Sequence, residues 1–412
     1  MKIPHKVILN SLLSGFFLFS ISILLPLNFR NIPFFVFAII IVLTFKKPHT
    51  NTNPNPKLFK TLVVNTLYFS TMALSFLYSE NTSEGATNLL SISPLLVTPV
   101  MFYVIHSRNK ISYHFIIDYI YILFFSSTLL FFLLVIAHNY FQGYMTETYF
   151  LHFPERINVD FGKYSIHPLY ASISVIISLI FSVPIYEKAK TKSMQLFVLI
   201  AVAFLISIIL LLARKSSILI TSSIFIYYFL KYRNRRSLAY FGIVSMLCAC
   251  LIYFIEPLRG RFSELISTLY SFDASSGGST STRLNIFNCS FDAIKKAPFF
   301  GYGVGDAKDV LTLCYLENNS PYFNTHNQFL GAWLSAGLFG VISLMGMFLY
   351  ALKSALKANS FVQTSVLFLF FSMAMVENFL ERQDGILIFS FFVNFFIFKN
   401  ITGSILKNND NR

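Results

Sequence analysis

The residues best placed to do chemistry lie in Tyr322-Phe323-Asn324-Thr325-His326-Asn327-Gln328, just before a long apolar run. An ionisable group at the mouth of a membrane-length segment is costly to keep and is therefore a functional suspect. Thr325 with Gln328 three residues later reads as a capping box, which places His326 at a helix N-terminus. Imidazole is the side chain most often used as a general base. The bland alternative is an interfacial histidine with ordinary hydrogen bonds.

Four cations are candidates for an anionic substrate. Arg214 and Lys215 form the whole turn between the apolar runs 194–212 and 216–231. Two positive charges in so short a turn suit a bound diphosphate, which arginine grips with two parallel hydrogen bonds; headgroup snorkelling is the plain alternative. Arg283 lies in the first turn of a helix expected from Ser279–Thr282 as cap, with Leu284, Phe287, Phe291 and Ile294 as its apolar face and Pro298 as its end. Arg382 stands in Glu377-Asn378-Phe379-Leu380-Glu381-Arg382-Gln383, where an ion pair with Glu377 or Glu381 competes with a binding role. His167 and Tyr170, one turn apart after Ser165-Ile166, can face a polar substrate together, or serve as a capping histidine and a belt aromatic. Gly331, Ser335, Ala336, Gly337 and Gly340 read as a close-packing stripe. Gly301-Tyr302-Gly303-Val304-Gly305 reads as a chain reversal rather than a phosphate cradle, since no strand precedes it. No Walker motif, zinc-ligand spacing, Asp-x-Asp or serine elbow is present, so no metal and no cofactor is expected.

These residues need a scaffold, and composition says which. The 412 residues are 55% hydrophobic and only 12% charged, where a soluble domain carries roughly a quarter charged residues. The apolar residues fall in runs of spanning length: 7–27, 32–45, 58–79, 88–105, 114–137, 167–186, 194–212, 216–231, 238–256, 327–352, 361–379 and 384–400. The expected fold is an all-α integral membrane protein of about twelve transmembrane helices, with a helical polar loop capping one face. The first run reads as a retained anchor rather than a cleaved signal. The division is 1–256 for nine spans, 257–325 for the large loop, and 326–412 for three spans and a tail. Basic clusters at Lys188–Lys192 and Lys231–Arg236 mark the cytoplasmic side and put both termini inside and the 257–325 loop outside. The net charge of +14 is then a topology signal with membrane lipids as partner, and nucleic acid is not expected. Cys289 and Cys314 share the outer loop, and no spacing rule fixes whether they pair.

His326-Asn327, nine residues, then Gly337-Leu338-Phe339-Gly340 resembles the histidine signature of the O-antigen ligase family, which shares its C-terminal module with O-antigen polymerases. Ser281-Thr282-Arg283, the Pro298–Gly303 turn and the Glu377–Gln383 segment resemble that module too, as His167-Pro168 and Arg214 resemble features nearer the N-terminus. The resemblance implies a multi-pass bacterial inner-membrane enzyme with a periplasmic site. It implies transfer of a glycan from undecaprenyl diphosphate to lipid A–core, without nucleotide or metal. His326 would be the base, Arg283 and Arg214 the holders of the diphosphate, and Lys215, His167, Tyr170, Asn327 and Arg382 substrate contacts. An O-antigen polymerase with the same donor is the nearest alternative. Polymerases resembling this family carry, in two comparable outer loops, an arginine with a glycine eleven residues on; here Arg156 leads to His167 and Arg283 to Ile294. A lipid-linked sugar flippase is the alternative from another class, and it is disfavoured because the suspects gather at span ends rather than along a path.

Overall fold

The structure is a computed structural model. It describes residues 5–44, 55–108, 114–145, 149, 152–212, 214–232, 279–317 and 324–410, with scattered positions in 240–263. Among these, every regular element is helical. In chain order they are α1 (His5–Ile21), α2 (Ile32–Thr44), α3 (Pro56–Phe76), α4 (Thr82–Ile92), α5 (Pro94–Arg108), α6 (His114–Phe141), α7 (Pro168–Lys188), α8 (Lys192–Leu211) and α9 (Lys215–Lys231). They continue with α10 (Ser279–Lys296), α11 (Ala307–Glu317), α12 (Gln328–Ala358), α13 (Phe361–Val376) and α14 (Gln383–Asp410). Among the described residues, six helical stretches are long and apolar enough to cross a membrane, and three shorter apolar ones accompany them. Most of the run expected at 238–256 lies outside the described residues.

The helices start where short polar side chains can close the first turn. Asn55 accepts from Lys57 N with Pro56 behind it, Asn81 accepts from Glu84 N, and Thr191 from Met194 N. The chain forms two compact units. One is built from Ile41–Ile111 and Asp273–Arg412, the other from Ile3–Ile40 and Ser112–Phe272.

In the first unit α3 is the central post. Thr61 and Thr71 bond to Tyr350 and Ser343 of α12 at 2.7 and 2.9 Å, so the two helices run antiparallel. Asn65 donates to Asn394 of α14 at 2.7 Å, and Thr98 of α5 meets Ser390 at 3.0 Å. Lipid tails offer helices no hydrophobic reason to associate, so such bonds set the register. In the second unit Ser172 of α7 and Ser217 of α9 bond at 2.8 Å, which brings the starts of those helices to the same end.

The run expected as one span at 327–352 is two segments. At Ala336 and Gly337 the backbone of α12 leaves the helical region, with Gly337 at φ 61° and ψ −154°. The break orphans backbone groups, and the 298–303 turn answers them. Tyr302 N and Gly303 N donate to Leu334 O and Ser335 O at 2.7 and 2.9 Å. Leu338 N donates back to the Pro298 and Phe299 carbonyls at 3.0 and 3.2 Å. Irregular backbone at membrane level is tolerated only where protein satisfies it. Gly337 is therefore more than a packing residue: only glycine readily takes that conformation, and a Cβ there would run into the Phe299 carbonyl.

The two helices of the large loop meet this break. Ile286, Cys289, Ala293 and Ile294 of α10, Leu311 and Tyr315 of α11, and Leu330 and Leu334 of α12 form one small core. The α10 helix starts at Ser279, so the expected cap residues lie within it; Ile294 and Phe287 face the core as expected, whereas Phe291 is 47% exposed and Ile286 and Cys289 are inside. On this face the disulfide Cys289–Cys314 ties α10 to α11 with a Cα separation of 5.9 Å. Asp306, just before α11, accepts from Glu80 N and Asn81 N at 2.8 and 2.7 Å, and Ser79 Oγ accepts from Gly305 N. The glycine-rich stretch is thus a chain reversal docked on the α3–α4 turn.

Replacing Gly337 by Ala forces a side chain into a conformation that costs about 2 kcal/mol even without the clash. A lowered thermal midpoint of the detergent-solubilised chain is expected; an unchanged midpoint would mean that the break is not held as described.

Candidate functional site

His326 does not stand inside a capped helix. The N-cap of α12 is Asn327, whose Oδ1 accepts from Phe329 N and Leu330 N at 2.9 and 3.1 Å. The expected Thr325–Gln328 box does not form, because both side chains are claimed by the corner between α13 and α14. Thr325 Oγ1 lies 2.9 Å from Asn378 Oδ1, and Gln328 Oε1 accepts from Leu380 N at 2.9 Å. His326 sits before the helix at φ 46°, a left-handed conformation uncommon outside glycine. Such backbone persists where neighbours over-determine it, and functional sites collect it.

The neighbours are on the same corner. Asn378 is buried; its Oδ1 also accepts from Asn327 N at 3.0 Å, and its Nδ2 donates to Glu381 Oε1 at 2.5 Å. Asn327 Nδ2 donates to Met375 O at 3.2 Å. Gly331 makes this fit possible, since a Cβ there would lie 2.6 Å from Asn378 Nδ2 and 3.1 Å from Glu381 Oε1. Glu381 is exposed as a residue, and its carboxyl packs against Asn378 and Gly331. That local burial pushes the carboxyl up to about 7, against the hydrogen bonds from Asn378 and Asn324.

His326 Nδ1 lies 2.9 Å from Glu377 Oε2. With Glu377 ionised, the carboxylate only accepts, so Nδ1 donates and in the neutral ring Nε2 is left as the acceptor. Glu377 is only 14% exposed at its side chain, and its other oxygen faces Arg283 Nη2 at 4.0 Å. One carboxylate therefore orients a base on one side and a guanidinium on the other. Arg283 is 44% exposed, so it is open to an anionic ligand. This is the base–orienter arrangement of nucleophile activation with a cation beside it.

Of the residues expected at the site, His326, Arg283 and Asn327 are brought together at this corner. Sequence reasoning missed Glu377 as the partner of His326, having treated it as a counter-ion for Arg382. Glu377 faces His326 and Arg283 instead, and Arg382 is exposed beside Glu381, whose charge it favours. The available signal was that Glu377-Asn378 ends an apolar run, where ionisable residues are rarely idle.

The remaining candidates belong to the second unit. His167 caps α7 by accepting from Leu169 N at 3.3 Å, with Pro168 as the first helical residue. Its ring lies 5.9 Å from that of Tyr170, which is buried. Arg214 occupies the N-cap position of α9 in extended conformation, half-buried, and makes no side-chain cap bond; Lys215 opens the helix, exposed. Two cations at the positive end of a helix suit an anion. Among the described residues no group of three or more His, Cys, Asp or Glu side chains is placed to hold a metal ion.

Asn378→Ala removes the acceptor of two bonds that hold the 325–327 segment, at about 1–3 kcal/mol for buried polar groups left unmatched. Faster amide hydrogen exchange over that segment is expected; exchange unchanged from the parent would refute the clamp.

Residues 199–345 match the family described as O-antigen ligase. The match begins within α8 and ends within α12, so it holds Arg214, Lys215, Arg283, His326 and Asn327 but not His167, Tyr170, Glu377 or Arg382. No curated protein matches the sequence. The chain is a helical membrane protein with an O-antigen ligase domain, which supports a ligase- or polymerase-type function in lipopolysaccharide biosynthesis.

Proposed function

We propose that this chain, which carries an O-antigen ligase domain, is the ligase itself: a glycosyltransferase that moves O-antigen glycan from undecaprenyl diphosphate to lipid A–core. The observation that carries the reading is the Glu377 carboxylate set between His326 and Arg283. In the reaction His326 Nε2 takes the proton of an acceptor sugar hydroxyl. The hydroxyl oxygen bonds to the anomeric carbon, and the bond from that carbon to the diphosphate oxygen breaks. The diphosphate leaves with the electron pair, and Arg283 offsets its growing charge. Arg214 shares that role on the resemblance, with Lys215, His167, Tyr170, Asn327 and Arg382 as substrate contacts. Glu377 holds the tautomer in which Nε2 can accept and stabilises the imidazolium that forms. The diphosphate is already a good leaving group, so positioning and charge neutralisation suffice without nucleotide or metal. Attack opposite the diphosphate inverts the anomeric centre.

The site is read as periplasmic, in the inner membrane, with both termini cytoplasmic. The Cys289–Cys314 disulfide supports this, because such bonds persist in oxidising compartments.

Purified protein mixed with lipid-linked O-antigen and lipid A–core is expected to give banded product on lipid A–core, unaffected by chelator. Elongation on the carrier alone would favour the polymerase. His326→Ala should abolish transfer, and Glu377→Gln should lower kcat by roughly 10²-fold or more, as loss of an orienting carboxylate does elsewhere. Full transfer by the His326 variant would remove the base assignment. Arg283→Ala should slow transfer and weaken donor use together; an unchanged rate would exclude it from the diphosphate.

A further inference from the structure

We propose that the Phe299–Phe300 turn of the large loop is a membrane wedge, inserted among lipid acyl chains at one surface of the bilayer, and that it seats the loop's small core at headgroup height.

The second segment of α12 fixes the depth. Beyond the break, Leu338–Ala358 rises about 30 Å at ~1.5 Å per residue, which matches the hydrocarbon thickness of about 30 Å. Its far end carries Lys353 and Lys357 before the left-handed cap at Asn359, so its near boundary falls at Leu338. Helix α3, which is not one of the six stretches apolar enough to cross, lies antiparallel to it through the Thr61–Tyr350 and Thr71–Ser343 bonds, and so ends near Leu338. The turn joins that boundary to the end of α3: Tyr78 Oη donates to Phe300 O at 2.5 Å, and Leu338 N bonds to the Pro298 and Phe299 carbonyls. The turn therefore lies at the level where this span leaves the hydrocarbon, although it is not part of it.

Its side chains agree. Phe299 and Phe300 are 62% and 66% exposed, and Leu77, Phe339 and Ile342 around them are 79%, 54% and 56% exposed. The Phe300 and Phe339 rings pair at 5.8 Å. A contiguous apolar patch of this size is not left to water. It continues down α12 through exposed Leu349 and Leu356, the face this span must present to lipid. Tyr78, with a polar tip and its hydroxyl bonded, is the one belt-type residue of the group. Acyl chains are thus the occupant, by continuity with the lipid-facing surface. The backbone explains why the wedge cannot lift away: the carbonyls of Pro298 and Phe299 close the broken helix.

The native chain has one tryptophan, Trp333, so Phe300→Trp adds a second whose signal is obtained by difference. The variant is reconstituted into phosphatidylcholine vesicles with or without acyl chains brominated near the headgroup. The added fluorescence is expected to fall by more than half with brominated chains and to resist aqueous iodide. Quenching by iodide and not by bromine would overturn the proposal, whether the turn then lies in water or awaits a protein partner. Phe299→Trp repeats the test one residue away if the first variant does not assemble.

Discussion

The break in α12 is the constraint on which the first unit depends. A helix interrupted at membrane level must have its freed carbonyls and amides answered, and here the 298–303 turn answers them with four backbone bonds. The same turn follows α10, which carries Arg283, and precedes α11, which the disulfide ties to α10. The segment of α12 before the break begins one residue after Asn327. Splinting the helix therefore fixes the loop, and with it the cation and the histidine, in one act.

The second element is a polar corner that would be unstable if only partly satisfied. Thr325, Asn327 and Gln328 bond across to Met375, Asn378 and Leu380, and this leaves Glu377 aimed at His326. Catalysis by proton removal needs the imidazole in one tautomer and one orientation. The carboxylate supplies both, while the nearby guanidinium stands ready for negative charge that appears only as the reaction proceeds. Interactions that strengthen in the transition state are the ones that raise kcat.

Much of this was legible in the sequence, for identifiable reasons. Runs of apolar residues announce spans directly, and the starts of α3, α7, α8 and α9 fall within a few residues of the expected ones. Arg283 was found because helical spacing and Pro298 outline its helix. Of the apolar face expected for that helix, Phe287 and Ile294 meet the core but Phe291 does not; Cys289, bonded to a residue at no diagnostic spacing, lies there instead. The Thr325–Gln328 box failed because a distant corner outbids a local cap. Glu377 was hidden since its meaning depends on a partner 51 residues away in the chain. Gly337 looked like a packing residue because small size and a positive φ leave the same letter in a sequence.

The central claim is that Glu377 holds His326 with Nδ1 as donor and Nε2 as acceptor. Nitrogen-15 NMR of the histidine-labelled chain in detergent, with His326 assigned by its loss in a His326→Gln variant, reads the tautomer directly. The account predicts a protonated Nδ1 and a bare, acceptor-type Nε2 in the neutral ring, reversed or averaged when Glu377 is replaced by Gln. A parent spectrum with the proton on Nε2 and none on Nδ1 would contradict it.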